Sequence, residues 1–86
     1  MTTVVEIRDV VRQYILKEFL PGVDPSELAN DTPLISGGIL DSLATVKLVA
    51  ALEERYGVEI AAHEASVTYF NSVNDIADLI HGKQGS

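Results

Sequence analysis

The sequence contains no cysteine and only two histidines, so it is poor in the residues that most often bind metals or act as nucleophiles. Without cysteine the chain can form no disulfide and supplies no thiol of its own. The run that starts at His63 resembles a zinc-protease motif, but Val67 stands where the second histidine ligand is required. We therefore predict no metal site and no catalytic residue, and we expect His63 and His81 to lie on the surface.

Basic residues are also scarce, since six Lys and Arg face thirteen Asp and Glu and give a net charge of −7. That balance disfavours nucleic acid and anionic membranes as partners. No apolar run is long enough to span a bilayer, and the N-terminus lacks the pattern of a signal peptide. We expect one cytoplasmic, monomeric domain over residues 1–86, with an ordered core at about 4–80 and a frayed tail at 81–86.

Capping signals and apolar spacing predict an all-α bundle of three main helices and one short helix, with a long loop after the first helix. Thr3 and Glu6 have capping-box spacing, Asp24 and Pro25 predict a short turn within the loop, and Gly57 is a plausible helix stop. The predicted helices are residues 4–19, 42–56, 61–69 and a last helix after Ser72.

Apolar side chains at helical spacing predict the core. On the second helix we expect burial of Val46, Val49, Leu52 and Tyr56, and on the third of Ala65, Val67 and Phe70. Burial and exposure are equally expected for Leu43. The loop before the second helix is too apolar to be fully exposed to solvent. We expect some of its four large apolar side chains to be buried and to pin the loop to the bundle: Leu34, Ile35, Ile39 and Leu40.

The most informative stretch begins at the glycine pair Gly37-Gly38 and enters the second helix at Asp41 and Ser42. Asp41 is a favourable N-cap, and Ser42 falls at the first helical position, where the helix dipole stabilises an attached phosphate. Ser42 lacks the glycine-x-serine-x-glycine pattern of a hydrolase elbow, and no histidine is near it in sequence. A small hydrolase that uses Ser42 remains one alternative, and an acidic helical adaptor without a prosthetic group is another.

The run Leu40-Asp41-Ser42-Leu43, followed by Leu52 to Gly57 and then Val58-Glu59-Ile60, resembles an acyl carrier protein, and the resemblance extends from about Val4 to Ile80. It implies that Ser42, supported by Asp41 and Leu43, carries 4′-phosphopantetheine derived from coenzyme A. It also implies three kinds of partner: a phosphopantetheinyl transferase, an acyl- or aminoacyl-loading ligase or transferase, and downstream synthase or tailoring enzymes. The residues that partner enzymes would recognise are Leu43, Lys47, Glu53 and Glu54.

Two departures from the family pattern bear on the pathway. Fatty-acid carriers usually have acidic residues at the positions of Ala44 and Lys47, on the exposed face of the second helix. The pair Ile39-Leu40 is more similar to stand-alone carriers of polyketide and nonribosomal-peptide pathways or to D-alanyl carriers. We therefore expect a carrier of specialised biosynthesis with a short acyl, aminoacyl or hydroxyacyl cargo. A housekeeping fatty-acid carrier and a D-alanyl carrier are the alternatives within the family.

Overall fold

The computed structural model describes residues 3–84, and the regular elements within that range are all helical. This confirms the all-α bundle with a long loop after its first helix. None of these helices is long and apolar enough to cross a membrane. The elements in chain order are α1 (Val4–Glu18), a single 3₁₀ turn (Pro25–Glu27), α2 (Ser42–Tyr56), α3 (Val67–Phe70) and α4 (Val73–Gln84).

Local capping contacts set the helix ends. The Thr3 hydroxyl accepts a hydrogen bond from the Glu6 N–H at 3.2 Å at the start of α1. The Ser72 hydroxyl accepts one from the Asp75 N–H at 3.0 Å at the start of α4. At the end of α2, Gly57 has φ +64°, a left-handed conformation that favours glycine. Short-range signals of this kind explain why α1 and α2 begin and end within a residue of their predicted bounds.

The core forms where α1 packs along α4, with α3 also against α4. Leu28, Leu34 and Leu40 of the long loop are buried in the same core, which confirms that apolar loop residues pin the loop to the bundle. Burial of this apolar surface is the main favourable contribution to folding. The helical side chains of the core are Ile7, Val11, Ile15, Leu16, Leu48, Leu52, Phe70, Val73, Ile76, Ala77 and Ile80.

Hydrogen bonds to main-chain carbonyls fasten the first half of the long loop to α1. The Arg12 guanidinium donates from Nε to the Leu28 carbonyl at 3.0 Å and from Nη2 to the Pro25 carbonyl at 2.7 Å. Asp24 caps the 3₁₀ turn, and hydrogen bonds from the Ser26 N–H and hydroxyl lower the pKa of its carboxyl. The loop is therefore fixed by polar contacts as well as by its buried leucines.

Two predicted core positions are wrong. Val46 is 64% exposed and Val67 is 53% exposed, because each points away from the α1–α4 core. Leu52 and Phe70 are buried as predicted, and Val49, Tyr56 and Ala65 are half-buried and pack against the core.

Two helix bounds also differ from the sequence prediction. Residues 61–66 form turns, so α3 is one turn long and begins only at Val67. At the other end of the chain, α4 continues to Gln84. The frayed tail predicted from residue 81 is therefore helical up to that point, and there Lys83 forms an ion pair with Glu64 at 2.8 Å. The last two residues of that tail lie outside the described residues.

Candidate functional site

A tight turn delivers the chain to the start of α2. A Cβ atom at Gly37 would collide with the main-chain carbonyl oxygen of Pro33, so this position accepts only glycine without a shift of the backbone. Gly38 has φ +82°, which also favours glycine. The Leu40 N–H donates to the Leu34 carbonyl at 2.9 Å and closes the turn. The glycine pair thus serves the geometry of the turn itself.

Asp41 caps α2, as predicted, through its side chain and its carbonyl. Its Oδ1 accepts a hydrogen bond from the Ala44 N–H at 2.8 Å. Its carbonyl oxygen accepts from both the Thr45 N–H at 2.9 Å and the Thr45 hydroxyl at 2.8 Å. The contact to the Ala44 N–H satisfies a first-turn donor that would otherwise need water, and the three contacts together fix the direction in which α2 leaves the loop.

Ser42 is the first residue of α2, and its side chain is exposed. Its hydroxyl lies beside the N-terminal end of a 15-residue helix, where the helix dipole and free N–H groups favour negative charge. Asp41 already performs the capping, so the Ser42 hydroxyl is left available to a reagent from solution. The arrangement suits attachment of a phosphate group.

A mainly apolar surface groove of about 710 Å³ begins at Ser42 and continues along α2. Its other wall is the turn segment 60–66 that precedes α3. Glu53 lies toward the far end of the α2 wall, eleven residues beyond Ser42, which corresponds to about 16 Å along a helix. No histidine lines the groove within the described range. The lining residues are Ile35, Leu40, Asp41, Ser42, Thr45, Val46, Val49, Ala50, Glu53, Ile60, Ala61, Ala62, Ala65 and Ser66.

The four predicted partner-recognition residues are not equivalent. Leu43 is 64% exposed, and Lys47 and Glu54 are exposed on α2. Glu53, in contrast, is half-buried, and its Oε2 accepts a hydrogen bond from the Ile60 N–H at 2.9 Å. Glu53 is therefore not a freely solvated charge, because its carboxylate ties α2 to the segment that follows it.

Ala44 also departs from the sequence prediction. It was expected on the exposed face of α2, but it is half-buried and packs against the core. The difference between this chain and acidic carriers on the fully exposed face therefore rests on Lys47 alone. His63 and His81 are exposed, as predicted. Within residues 3–84, no group of three or more His, Cys, Asp or Glu side chains is arranged to hold a metal ion.

Sequence reasoning missed Asn71, which lies between α3 and α4. Its Oδ1 accepts hydrogen bonds from the Ile35 and Ser36 N–H groups, both at 2.9 Å, and its Nδ2 donates to the Ser36 hydroxyl at 3.0 Å. The Leu34 N–H donates to the main-chain carbonyl of Asn71 at 2.7 Å. No signal in the sequence links Asn71 to residues 34–36, because their separation exceeds the reach of any local pattern.

Comparison with known proteins decides the family. Residues 9–80 match the family described as "Phosphopantetheine attachment site". The chain belongs to the acyl carrier family defined by that attachment site. An acyl carrier protein of Thermosynechococcus vestitus is 33% identical over 78 residues, which are 91% of each chain. An acyl carrier protein of Campylobacter hominis is 36% identical over 77 residues, which cover 80% of this chain and 90% of the relative.

Two solved structures resemble the carrier. A chain in "Crystal structure of FAD-dependent dehydrogenase" is 38% identical with a TM-score of 0.73, and the match covers 81% of this chain and 97% of that one. The chain in "Structure of KstB-PCP(apo)", a PCP carrier domain, is 28% identical with a TM-score of 0.71, over 95% of this chain and 90% of that one. The carrier fold predicted from the sequence is confirmed.

Membership of this family makes 4′-phosphopantetheine the prosthetic group of the chain and acyl transport on that arm its function. When bound, the arm supplies a terminal thiol that holds the acyl group as a thioester. The chain fits this group, since an exposed hydroxyl at a capped helix start lies at the mouth of an apolar groove. Such a carrier serves partner enzymes, among them a phosphopantetheinyl transferase and synthases.

Proposed function

We propose that Ser42 is the attachment residue and that the chain carries a short acyl, aminoacyl or hydroxyacyl unit for enzymes of polyketide or nonribosomal-peptide biosynthesis. The observation that carries the proposal is the exposed Ser42 hydroxyl at a helix start that Asp41 caps. Of the six serines in the sequence, only Ser42 lies in an Asp-Ser-Leu run. The proposal places the chain in the cytoplasm, with coenzyme A as the donor of the arm.

The loading reaction requires no catalytic residue from this chain. The Ser42 oxygen forms a bond to the phosphorus of coenzyme A that bears the pantetheine, and the pyrophosphate bond breaks. Adenosine 3′,5′-bisphosphate leaves, and the serine proton passes to a base of the transferase. The chain contributes an accessible hydroxyl, a rigid turn and a helix N-terminus that stabilises the new phosphodiester charge.

The docking face of the proposed carrier surrounds Ser42 on α2. Leu43 and Val46 expose apolar surface there, and Lys47 and Glu54 add charges of opposite sign. Exposed apolar side chains beside polar ones are typical of surfaces that bind other proteins. Glu53 is left out of this face because its carboxylate is engaged by the Ile60 N–H.

Two observations support specialised rather than fatty-acid biosynthesis. Lys47 places a positive charge on a face that is usually acidic in fatty-acid carriers, which weakens attraction to basic enzyme surfaces. The resemblance to a PCP carrier domain at 28% identity over most of both chains points in the same direction. A short cargo also suits a groove that lies at the surface beside Ser42.

Intact-mass measurement after incubation with coenzyme A and a promiscuous transferase tests the proposal. The wild type should gain the mass of one phosphopantetheine, and Ser42→Ala should gain none while it keeps its fold. Ser66→Ala is the matched control, because Ser66 lines the same groove and should be modified like the wild type. No mass gain in the wild type would favour the adaptor or the hydrolase.

The pathway is tested separately with the loaded protein. Short and long acyl groups are placed on the arm, and each product is offered to a fatty-acid condensing enzyme. The proposal predicts poor elongation of either product, because Lys47 opposes docking of a basic enzyme surface. Efficient elongation would indicate instead that the chain is a carrier of fatty-acid synthesis, and it would leave the assignment of Ser42 unchanged.

A further inference from the structure

The loop before Ser42 is held by one side chain that lies about 35 positions later in the sequence. Asn71 makes three side-chain hydrogen bonds to Ile35 and Ser36, and its carbonyl accepts a fourth from the Leu34 N–H. The orientation of the amide is fixed, because only its oxygen can accept from two main-chain N–H groups. A single residue therefore holds three successive loop residues in place.

Asn71 is itself firmly held. It follows Phe70 at the end of α3 and precedes Ser72 and Val73 at the start of α4, and these three neighbours are buried. The Ser72 hydroxyl caps α4, and the Asn74 N–H donates to the Asn30 carbonyl at 3.0 Å. The amide of Asn71 therefore projects from a junction that buried side chains and hydrogen bonds hold on both sides.

The contacts continue from Asn71 to the reacting hydroxyl through the turn. Ile35 accepts from the Gly38 N–H at 3.1 Å, and Leu34 accepts from the Leu40 N–H at 2.9 Å. The turn over residues 34–40 is therefore built on the residues that Asn71 holds. Asp41 and Ser42 come directly after it, so the position of the turn determines where the hydroxyl is presented.

We propose that Asn71 is a positioning residue for the loading of Ser42, an inference that rests on Ser42 being the attachment residue. Asn71 holds the turn by hydrogen bonds to its main chain and is not itself among the residues that line the groove. Without its side chain, the turn keeps its own main-chain bonds but loses its anchor to the α3–α4 junction. The hydroxyl is then presented over a wider range of positions, and fewer encounters with the transferase are productive.

Four variants separate positioning from stability. Asn71→Ala removes all three side-chain bonds, whereas Asn71→Asp keeps an oxygen that accepts from both N–H groups. Ser36→Ala removes only the hydroxyl that accepts from Nδ2. Ser72→Ala is the matched control, because it removes the α4 cap and should destabilise the protein about as much as Asn71→Ala does. It leaves intact the three Asn71 side-chain hydrogen bonds to Ile35 and Ser36, which we call the clamp.

The measurement is kcat/KM for loading by one transferase, at a temperature where circular dichroism shows each variant folded. Asn71→Ala should load about tenfold more slowly, which is within the loss of rate that a displacement of about 1 Å of a reacting group can cause. Asn71→Asp, Ser36→Ala and Ser72→Ala should load like the wild type. Equal loading by Asn71→Ala, or an equal loss in Ser72→Ala, would overturn the proposal. If the wild type itself is not loaded, the assignment of Ser42 fails instead.

Amide hydrogen exchange on the wild type gives a test that does not depend on any variant folding. The Ile35 and Ser36 N–H groups should exchange much more slowly than the N–H of Gly37, which follows them in the same exposed turn. Exchange of Ile35 and Ser36 at the rate of unprotected amides would show that the clamp is open in solution, and the proposal would fall.

Discussion

Removal of the Glu53 carboxylate should destabilise the protein, whereas the same change at the adjacent Glu54 should not. Glu53 is half-buried and accepts a hydrogen bond from the Ile60 N–H at 2.9 Å. Ile60 is buried, so its N–H has little access to water once that acceptor is removed. Glu54 is exposed and has no comparable bond within residues 3–84.

The magnitude follows from the cost of an unsatisfied buried donor, which is about 1–3 kcal/mol. For a chain of this length, each kcal/mol changes the melting temperature by roughly 4–8 °C. Glu53→Ala should therefore lower Tm by about 4–24 °C. Glu54→Ala should stay within about 0.5 kcal/mol of the wild type, as expected for an exposed side chain.

The assay is thermal and urea unfolding of the apo-protein, with Glu53→Gln as a third variant. The amide oxygen of glutamine still accepts from the Ile60 N–H, so Glu53→Gln should recover most of the loss. Faster hydrogen exchange of the Ile60 amide in Glu53→Ala would show that the stability is lost at this hydrogen bond. Equal melting of Glu53→Ala and Glu54→Ala would refute this reasoning and return Glu53 to the candidate docking residues.

Two further predictions concern the helix cap and an ion pair. Asp41→Ala should destabilise by about 0.5–2 kcal/mol through loss of the α2 cap, while Ser42→Ala leaves the melt unchanged; equal melts for the two variants would contradict the capping role. The Lys83 ammonium and the Ala61 N–H hold the pKa of Glu64 below its ordinary 4.5, so the stability from this carboxylate is present above about pH 4.5 and is lost as pH falls through the lowered pKa. The urea midpoints of wild type and Glu64→Gln should therefore converge on acidification, and a difference that is constant with pH would exclude the ion pair as its source.

The sequence was most informative where local chemistry decides the structure. Thr3, Asp41 and Gly57 all perform the capping roles that their positions predict, because a cap involves residues only a few positions apart. The same locality allowed Ser42 to be placed at the first position of α2. The centre of the candidate site could therefore be derived before any tertiary contact was known.

The predictions that were wrong depended on contacts between distant segments. Residues 61–66 form turns where helical spacing predicted a helix, and there Glu64 accepts a hydrogen bond from the Lys83 ammonium at 2.8 Å, across 19 positions of the chain. Val46 has the spacing of a core residue, but the groove along α2 leaves it exposed. Glu53 has a tertiary role of the same kind, and none of these partners is recognisable from spacing alone.

Tandem mass spectrometry of proteolytic peptides from the loaded protein tests most directly whether Ser42 carries the arm. We expect the phosphopantetheine mass, and the fragment released when the arm is ejected, to belong only to the peptide that contains Ser42. Modification at any of the other serines, Ser26, Ser36, Ser66, Ser72 or Ser86, would contradict it.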